Sequence, residues 1–310
     1  MIINVGARTD IVNHYGEWLR NRLKEGFAYS RNPLFPNHVT RYDLSPQNVD
    51  GIIFCSKNYK PVLSWIDEVA NRYRIICYYT ISAYGRDIEP GVPDTDESAE
   101  TLIALASKIG KGKVIWRYDP VFLTEKYTVE RHIDTFDRLS AKLSGHFSFC
   151  IFSFIEMYRH LDRTLPELIP MTDGERSILL RAFGEIARKH EFRIQTCGTD
   201  ADFTRFGIEH SGCVTTSILG EAFGCQFKNV QHTGLRKGCR CLPSRDLGAY
   251  NTCPNGCRYC YANKKPELIR ANIAAHDVHS PLLVGNIRPE DIIRNGNQKT
   301  LILTDNTLFK

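Results

Sequence analysis

No apolar run in this 310-residue chain approaches the roughly 20 residues that a membrane-spanning helix needs, so no membrane partner is expected. There is no H-E-x-x-H and no i, i+4 histidine pair, which removes the helical zinc hydrolases. Nor is there a G-x-S-x-G or a P-loop, so serine-hydrolase and nucleotide-triphosphatase readings fall away. Excess charge is small: 40 Lys and Arg against 35 Asp and Glu give a formal +5, which suits phosphates, nucleic acid or neither. Arg8 and Asp10 interrupt any leader-like apolar stretch near the start, and a cytoplasmic location is the expectation.

Cysteine, by contrast, is plentiful. Eleven would mean disulfides in a small secreted chain, but at this length they point to reduced thiols or metal ligands. A hydrophobic content of 42% is enough for one large core.

From the first residue to about residue 200, short β-rich runs alternate with amphipathic stretches. Strands are expected at 2–7, 51–55, 75–81, 114–118, 147–154 and 192–197, and helices near 15–24, 61–73, 98–109, 129–143 and 175–190. Asp94-x-x-Glu97 and Thr172-x-x-Glu175 have the capping-box form that satisfies free amides at a helix start. Such alternation requires parallel strands with right-handed crossovers, in a barrel or an open sheet. From about Thr199 the pattern gives way to an irregular glycine- and cysteine-rich segment. After it a helix at 266–275, a short helix at 289–294 and a strand at 300–303 are expected. The chain divides on this reading into a core, 1–200, and a cysteine-rich segment, 201–310.

Cys253, Cys257 and Cys260 are spaced C-x3-C-x2-C in the run Thr-Cys-Pro-Asn-Gly-Cys-Arg-Tyr-Cys-Tyr-Ala. Three such thiolates can hold three irons of a [4Fe-4S] cubane and leave the fourth open, whereas a structural zinc needs four ligands; zinc with a borrowed fourth thiol and plain buried thiols stay as alternatives. Upstream, Cys239 and Cys241 form a C-x-C pair, with Cys213 and Cys197 as further thiols. These four suffice for a second iron–sulfur cluster or a tetrahedral zinc, can contribute to the first centre, or simply pack.

The spacing, Tyr259 before the third cysteine and the Tyr-Ala that follows resemble the radical S-adenosylmethionine superfamily, especially its spore photoproduct lyase branch. As a whole the chain also resembles a bacterial family of unknown function that ends in this cysteine loop. The superfamily likeness implies a partial (βα)6 TIM-like barrel and a cluster whose open iron chelates S-adenosylmethionine, with Tyr259 against the adenine. It also implies an electron from a cellular donor, and a 5′-deoxyadenosyl radical that abstracts hydrogen from a small-molecule, peptide or nucleic-acid substrate. In that superfamily the loop follows the first strand; here it follows all six expected strands of the core, so a permuted or C-terminally appended loop that folds back over the barrel mouth is expected. A Gly-Gly-Glu strand end, the usual contact for the methionine amino group, is absent.

Polar residues at the C-terminal ends of parallel strands face the site in such folds. Those positions here hold Arg8 and Asp10, Lys57 and Asn58, and Arg117 and Asp119, the expected substrate-facing residues, with Thr80 and Ser153 as expected cofactor contacts. An Arg117–Asp119 pair can equally be an ion pair that locks adjacent strands. A rival of another class is a non-enzymatic zinc or iron–sulfur protein that binds nucleic acid through the basic stretch Arg236, Lys237, Arg240 and Arg245.

Overall fold

The computed structural model describes residues 1–230 and 238–303. The chain begins with β1 (Ile2–Asn4), the short α1 (Ile11–His14) and α2 (Gly16–Glu25), then a hairpin of β2 (Phe27–Arg31) and β3 (His38–Asp43). Next come β4 (Gly51–Ser56), α3 (Ile66–Arg72), β5 (Ile75–Thr80), α4 (Thr95–Ile109), β6 (Val114–Val121), α5 (Val129–Leu143) and β7 (Phe149–Phe154). The remainder comprises α6 (Leu161–Thr164), α7 (Asp173–Lys189), β8 (Arg193–Thr196), β9 (Glu209–His210), α8 (Thr216–Phe223), β10 (Arg245–Asp246), α9 (Pro266–Ala274) and β11 (Ile292–Asn295).

Eight strands form one sheet in the order β10-β1-β4-β5-β6-β7-β8-β9, and every neighbouring pair is parallel. The expected strand–helix alternation produces this, because consecutive parallel strands need a crossover and helices supply it. Closure into a barrel is not seen: among the described residues β10 and β9 are the two edges and do not pair with each other. A physical reason lies in what covers the sheet. All six residues of β5 are buried, as befits a strand covered on both sides. Ile75, Cys77 and Tyr79 enter a core shared with Leu102, Phe136 and Phe183 of the crossover helices. Ile76 and Tyr78 enter a second core with Ile218 and Leu219 of α8, Phe227 and Leu242. A barrel would fill that second face with its own strands; here the segment after β8 occupies it.

Several local expectations are corrected. β1 stops at Asn4 rather than reaching residue 7, since the Asn4 side chain accepts the Gly6 N–H at 2.9 Å and turns the chain. A Cβ on Gly6 would lie 2.1 Å from the Cys55 carbonyl oxygen, so only glycine allows this approach to β4. The helix expected at 61–73 is a 3-10 turn, Lys60–Val62, followed by α3. The segment after Thr199 is less irregular than expected, since Thr215 caps α8 through the Ile218 N–H. In place of a helix at 289–294 there is β11, parallel to β3, where the β-branched Ile292 and Ile293 extend a small sheet with the β2–β3 hairpin. The strand expected at 300–303 is reduced to one antiparallel bridge, Phe227 to Ile302. Thr172 and Glu175 form the full reciprocal box, whereas Asp94 caps α4 alone because the Glu97 carboxylate turns to Lys60. No helix among the described residues is long and apolar enough to cross a membrane.

His132 on α5 is fully buried, with Nε2–H donating to the Phe122 carbonyl at 2.8 Å and Nδ1 accepting from the Tyr118 hydroxyl at 3.0 Å. That pattern fixes the neutral ring, and burial pushes its pKa down from 6.5 to about 4. Between those values the unfolded chain binds the extra proton, so this contribution is whole above pH 6.5 and is lost on acidification toward pH 4, about 3 kcal/mol in all. Urea unfolding of wild type and His132→Gln from pH 7.5 to 4.5 checks it: the midpoint of the wild type should fall more steeply, and parallel curves would refute the assignment.

Candidate functional site

Parallel strands deliver their C-terminal ends to one side of the sheet, and most of the expected site residues meet there. Asp10, just past β1, is the centre. Its Oδ1 accepts from the Ser56 hydroxyl at 2.7 Å and from the Asn13 N–H at 3.0 Å. Its Oδ2 accepts from the Lys57 N–H at 3.0 Å and from Asn255 Nδ2 at 3.3 Å. One carboxylate thereby ties the start of α1, the end of β4 and the cysteine loop. Asn58 adds to the same frame, its Nδ2 donating to Asn13 Oδ1 at 2.9 Å.

Lys57 reaches the buried Glu89 at 3.0 Å, and the Glu89 carboxylate also accepts from Ser82 Oγ and the Tyr259 hydroxyl. Burial opposes the Lys57 charge, but Glu89 and the neighbouring Cys257 sulfur outweigh it and raise its pKa. The Lys57 ammonium lies 5.7 Å from the Tyr259 ring centre, and that ring packs toward Tyr84 and Phe122. Arg117 pairs with Asp119, which accepts from Ser153 Oγ, and Arg117 Nη1 donates to Cys55 Sγ at 3.2 Å. Burial works against the Arg117 charge, yet Asp119 and the Cys55, Cys213 and Cys197 sulfurs keep it firmly protonated. Thr80 ends β5 in register with Arg117. Arg8 departs from this grouping. It holds the Asp246 carboxylate at 2.8 Å, its backbone carbonyl at 2.6 Å and Ser30 at 3.2 Å, so it ties β10 to the hairpin.

The cysteine loop folds over these strand ends. Tyr15 donates to the Thr252 carbonyl at 2.6 Å, the Gly91 N–H to the Asn255 carbonyl at 2.8 Å and the Arg258 N–H to the Ile88 carbonyl at 3.0 Å. His14 Nε2 lies 2.7 Å from Asn255 Oδ1. Glycine at 91 is required, since a Cβ there would stand 2.8 Å from Asn255 Cα. Cys253 is buried and Cys257 and Cys260 partly so; burial raises all three pKa values, that of Cys253 to about 12. Opposing this, backbone N–H groups of Asn255 and Asp10 point at Cys253, those of Ala262 and Asn263 at Cys260, and Lys57 bears on Cys257. Amide donors to sulfur are a setting that iron–sulfur ligands use.

A second cysteine group lies elsewhere. The sulfurs of Cys197, Cys213 and Cys241 all fall within 4.8 Å of one another, with 3.2 Å between Cys213 and Cys241, and this group can hold a metal. Cys239 adjoins Cys241 as a side-chain hydrogen-bond neighbour. Hydrogen bonds from Cys213 and Cys241 lower the Cys197 pKa, while Cys213 and Cys241 are raised. Of the basic stretch, Arg236 and Lys237 lie outside the described residues, and Arg245 belongs to β10.

Residues 2–262 match the model of a family described as Domain of unknown function (DUF1848). The chain belongs to this family. The DUF1848 region takes in the whole parallel sheet, both cysteine groups and the residues around Asp10, and it stops two residues past Cys260, before α9. No curated protein and no solved structure matches the chain.

Within the DUF1848 region, sequence reasoning missed Glu89, Asn13, His14 and Asn255, whereas Ser82 was legible as a polar residue just past the third expected strand. Glu89 sits in the loop between β5 and α4, where no periodicity marks a position. Asn255 had a signal, being the one polar side chain between Cys253 and Cys257. Replacing Asp10 by Ala leaves four donors of the mouth without their acceptor, and should cost on the order of 3 kcal/mol. The urea midpoint of Asp10→Ala measures this; a midpoint equal to wild type would show that the carboxylate is not the tie described.

Proposed function

We propose that this DUF1848 protein is a radical S-adenosylmethionine enzyme whose cluster is held by Cys253, Cys257 and Cys260. The observation that carries the reading is where the cysteine loop leaves the sheet. It follows β10, the strand that stands first in the spatial order, directly beside β1, and it crosses the C-terminal ends of the strands. Read in space rather than along the chain, a cluster loop thus comes after the first strand and seven parallel strands follow, the order of a permuted partial (βα)6 barrel with two strands added. Bound there, a [4Fe-4S] cluster supplies the electron that cleaves S-adenosylmethionine to a 5′-deoxyadenosyl radical.

The chain's own residues hold and shelter this centre. Amide N–H groups and the Lys57 charge favour the thiolate forms that metal ligation needs. Tyr259, locked by Glu89 and packed toward Phe122 and Tyr84, walls the loop on one side and keeps water out. Arg117, Asp119 and Ser153 offer charge and hydrogen bonds from the strands, and their mutual pairing fixes their rotamers. A cavity of about 220 Å³ opens at the ends of β6 and β7 among Val121, Phe122, Phe154, Ile155, Leu168 and Arg176, and suits a substrate with an apolar part. A larger open groove of about 560 Å³ runs along α7 by Arg181, Arg188 and Arg205, but no mouth residue lines it.

Anaerobic purification with iron and sulfide analysis, then incubation with reductant and S-adenosylmethionine, tests the reading. The wild type should yield 5′-deoxyadenosine, and Cys257→Ala should lose both the mouth iron and the cleavage. Absence of iron, or equal cleavage in the variant, would overturn it.

A further inference from the structure

We infer that Cys197, Cys213, Cys239 and Cys241 form a mononuclear tetrahedral zinc site, separate from the mouth, that fastens the segment after β8 to the sheet. The sulfur spacing decides between a single ion and a cluster. Four sulfurs at about 2.3 Å from one zinc are about 3.8 Å apart, whereas cubane ligands bind different irons and stand wider. Cys213 and Cys241 are 3.2 Å apart and Cys197 lies within 4.8 Å of both, so three sulfurs already face one point. Cys239 comes against Cys241, its sulfur outside the group of three that lie within 4.8 Å of one another, and a turn of its side chain brings it in as the fourth ligand.

The backbone brings these residues together without relying on the thiols. Gly212 meets the Arg240 carbonyl so closely that a Cβ would stand 2.6 Å from its oxygen, and the Leu242 N–H donates to the Val214 carbonyl at 2.8 Å. Two distant stretches are thus held side by side with Cys213 and Cys241 between those contacts. Gly238, at φ +74°, packs on Gly198 and Thr199, which sets Cys239 next to the loop that carries Cys197. Around the sulfurs, Gln195 Nε2 donates to the Gly212 carbonyl at 3.0 Å and the Tyr78 hydroxyl to the Cys213 carbonyl. The Cys213 N–H points at Cys197 Sγ. Such bonds orient ligands in advance. Four thiolates carry four negative charges against two on zinc, and the partly buried Arg117 guanidinium nearby offsets part of that excess. A closed set of four sulfurs leaves no open coordination position, so the site is structural.

Metal analysis of protein made without added metal tests this independently of the proposed activity. Wild type and Cys257→Ala should each carry one zinc per chain, while Cys241→Ser and the more peripheral Cys239→Ser should lose it. Cobalt exchanged into Cys257→Ala should give the spectrum of a tetrahedral tetrathiolate. Iron and sulfide retained in Cys257→Ala would overturn the zinc assignment in favour of a cluster, and no metal in that variant would overturn the site altogether. Zinc without iron in the wild type would uphold this site while removing the radical reading.

Discussion

The carboxylate of Asp10 is the constraint on which the mouth depends. A buried charge needs several donors, and this one finds them on α1, at the end of β4 and in the cysteine loop. The three stretches are far apart in sequence, so their common partner fixes their relative positions more directly than any apolar contact. Expected as a substrate-facing group, Asp10 makes every one of these bonds inside the protein. Arg8 likewise gives its guanidinium to Asp246 and Ser30.

Legibility followed the strength of local periodicity. β4, β5, β6 and β7 carry long apolar runs because both of their faces are covered, and α5 and α7 have caps and clear stripes. β9 and β10 are two residues each and owe their existence to pairing with β8 and β1. Nothing in Arg245 and Asp246 as residues announces a strand. β2 and β3 were missed because their faces are mostly half-buried and the alternation is weak, and β11 exists only through β3. Site residues on strand ends were legible from topology; Glu89 was not, because a loop position is defined by what packs over it.

The two cysteine groups answer to different parts of the fold. Cys253, Cys257 and Cys260 belong to a loop that Tyr15 and Asp10 tether through Thr252 and Asn255, with the Ala262 N–H bonded to Cys260 Sγ. Cys197, Cys213 and Cys241 belong to the second core, among Tyr78, Val214 and Leu242, under the sheet face that a closed barrel would have kept for itself. Arg117, reaching toward Cys55, Cys197 and Cys213 while paired with Asp119, joins the two regions electrostatically.

The pairing of β1 with β10 sets Ile3 beside Arg245. A contact of that sequence separation is among the slowest to form, since the intervening chain must first be made and compacted. A ribosome that has delivered β1 to β8 has therefore built most of the sheet but no mouth. The first strand waits with an exposed edge until the closing stretch of the DUF1848 region emerges. Metal acquisition at the loop after β10 is on this account a late event in the life of each molecule, and a chain cut short before Arg245 would be left with an unpaired edge at β1 as well as an incomplete site.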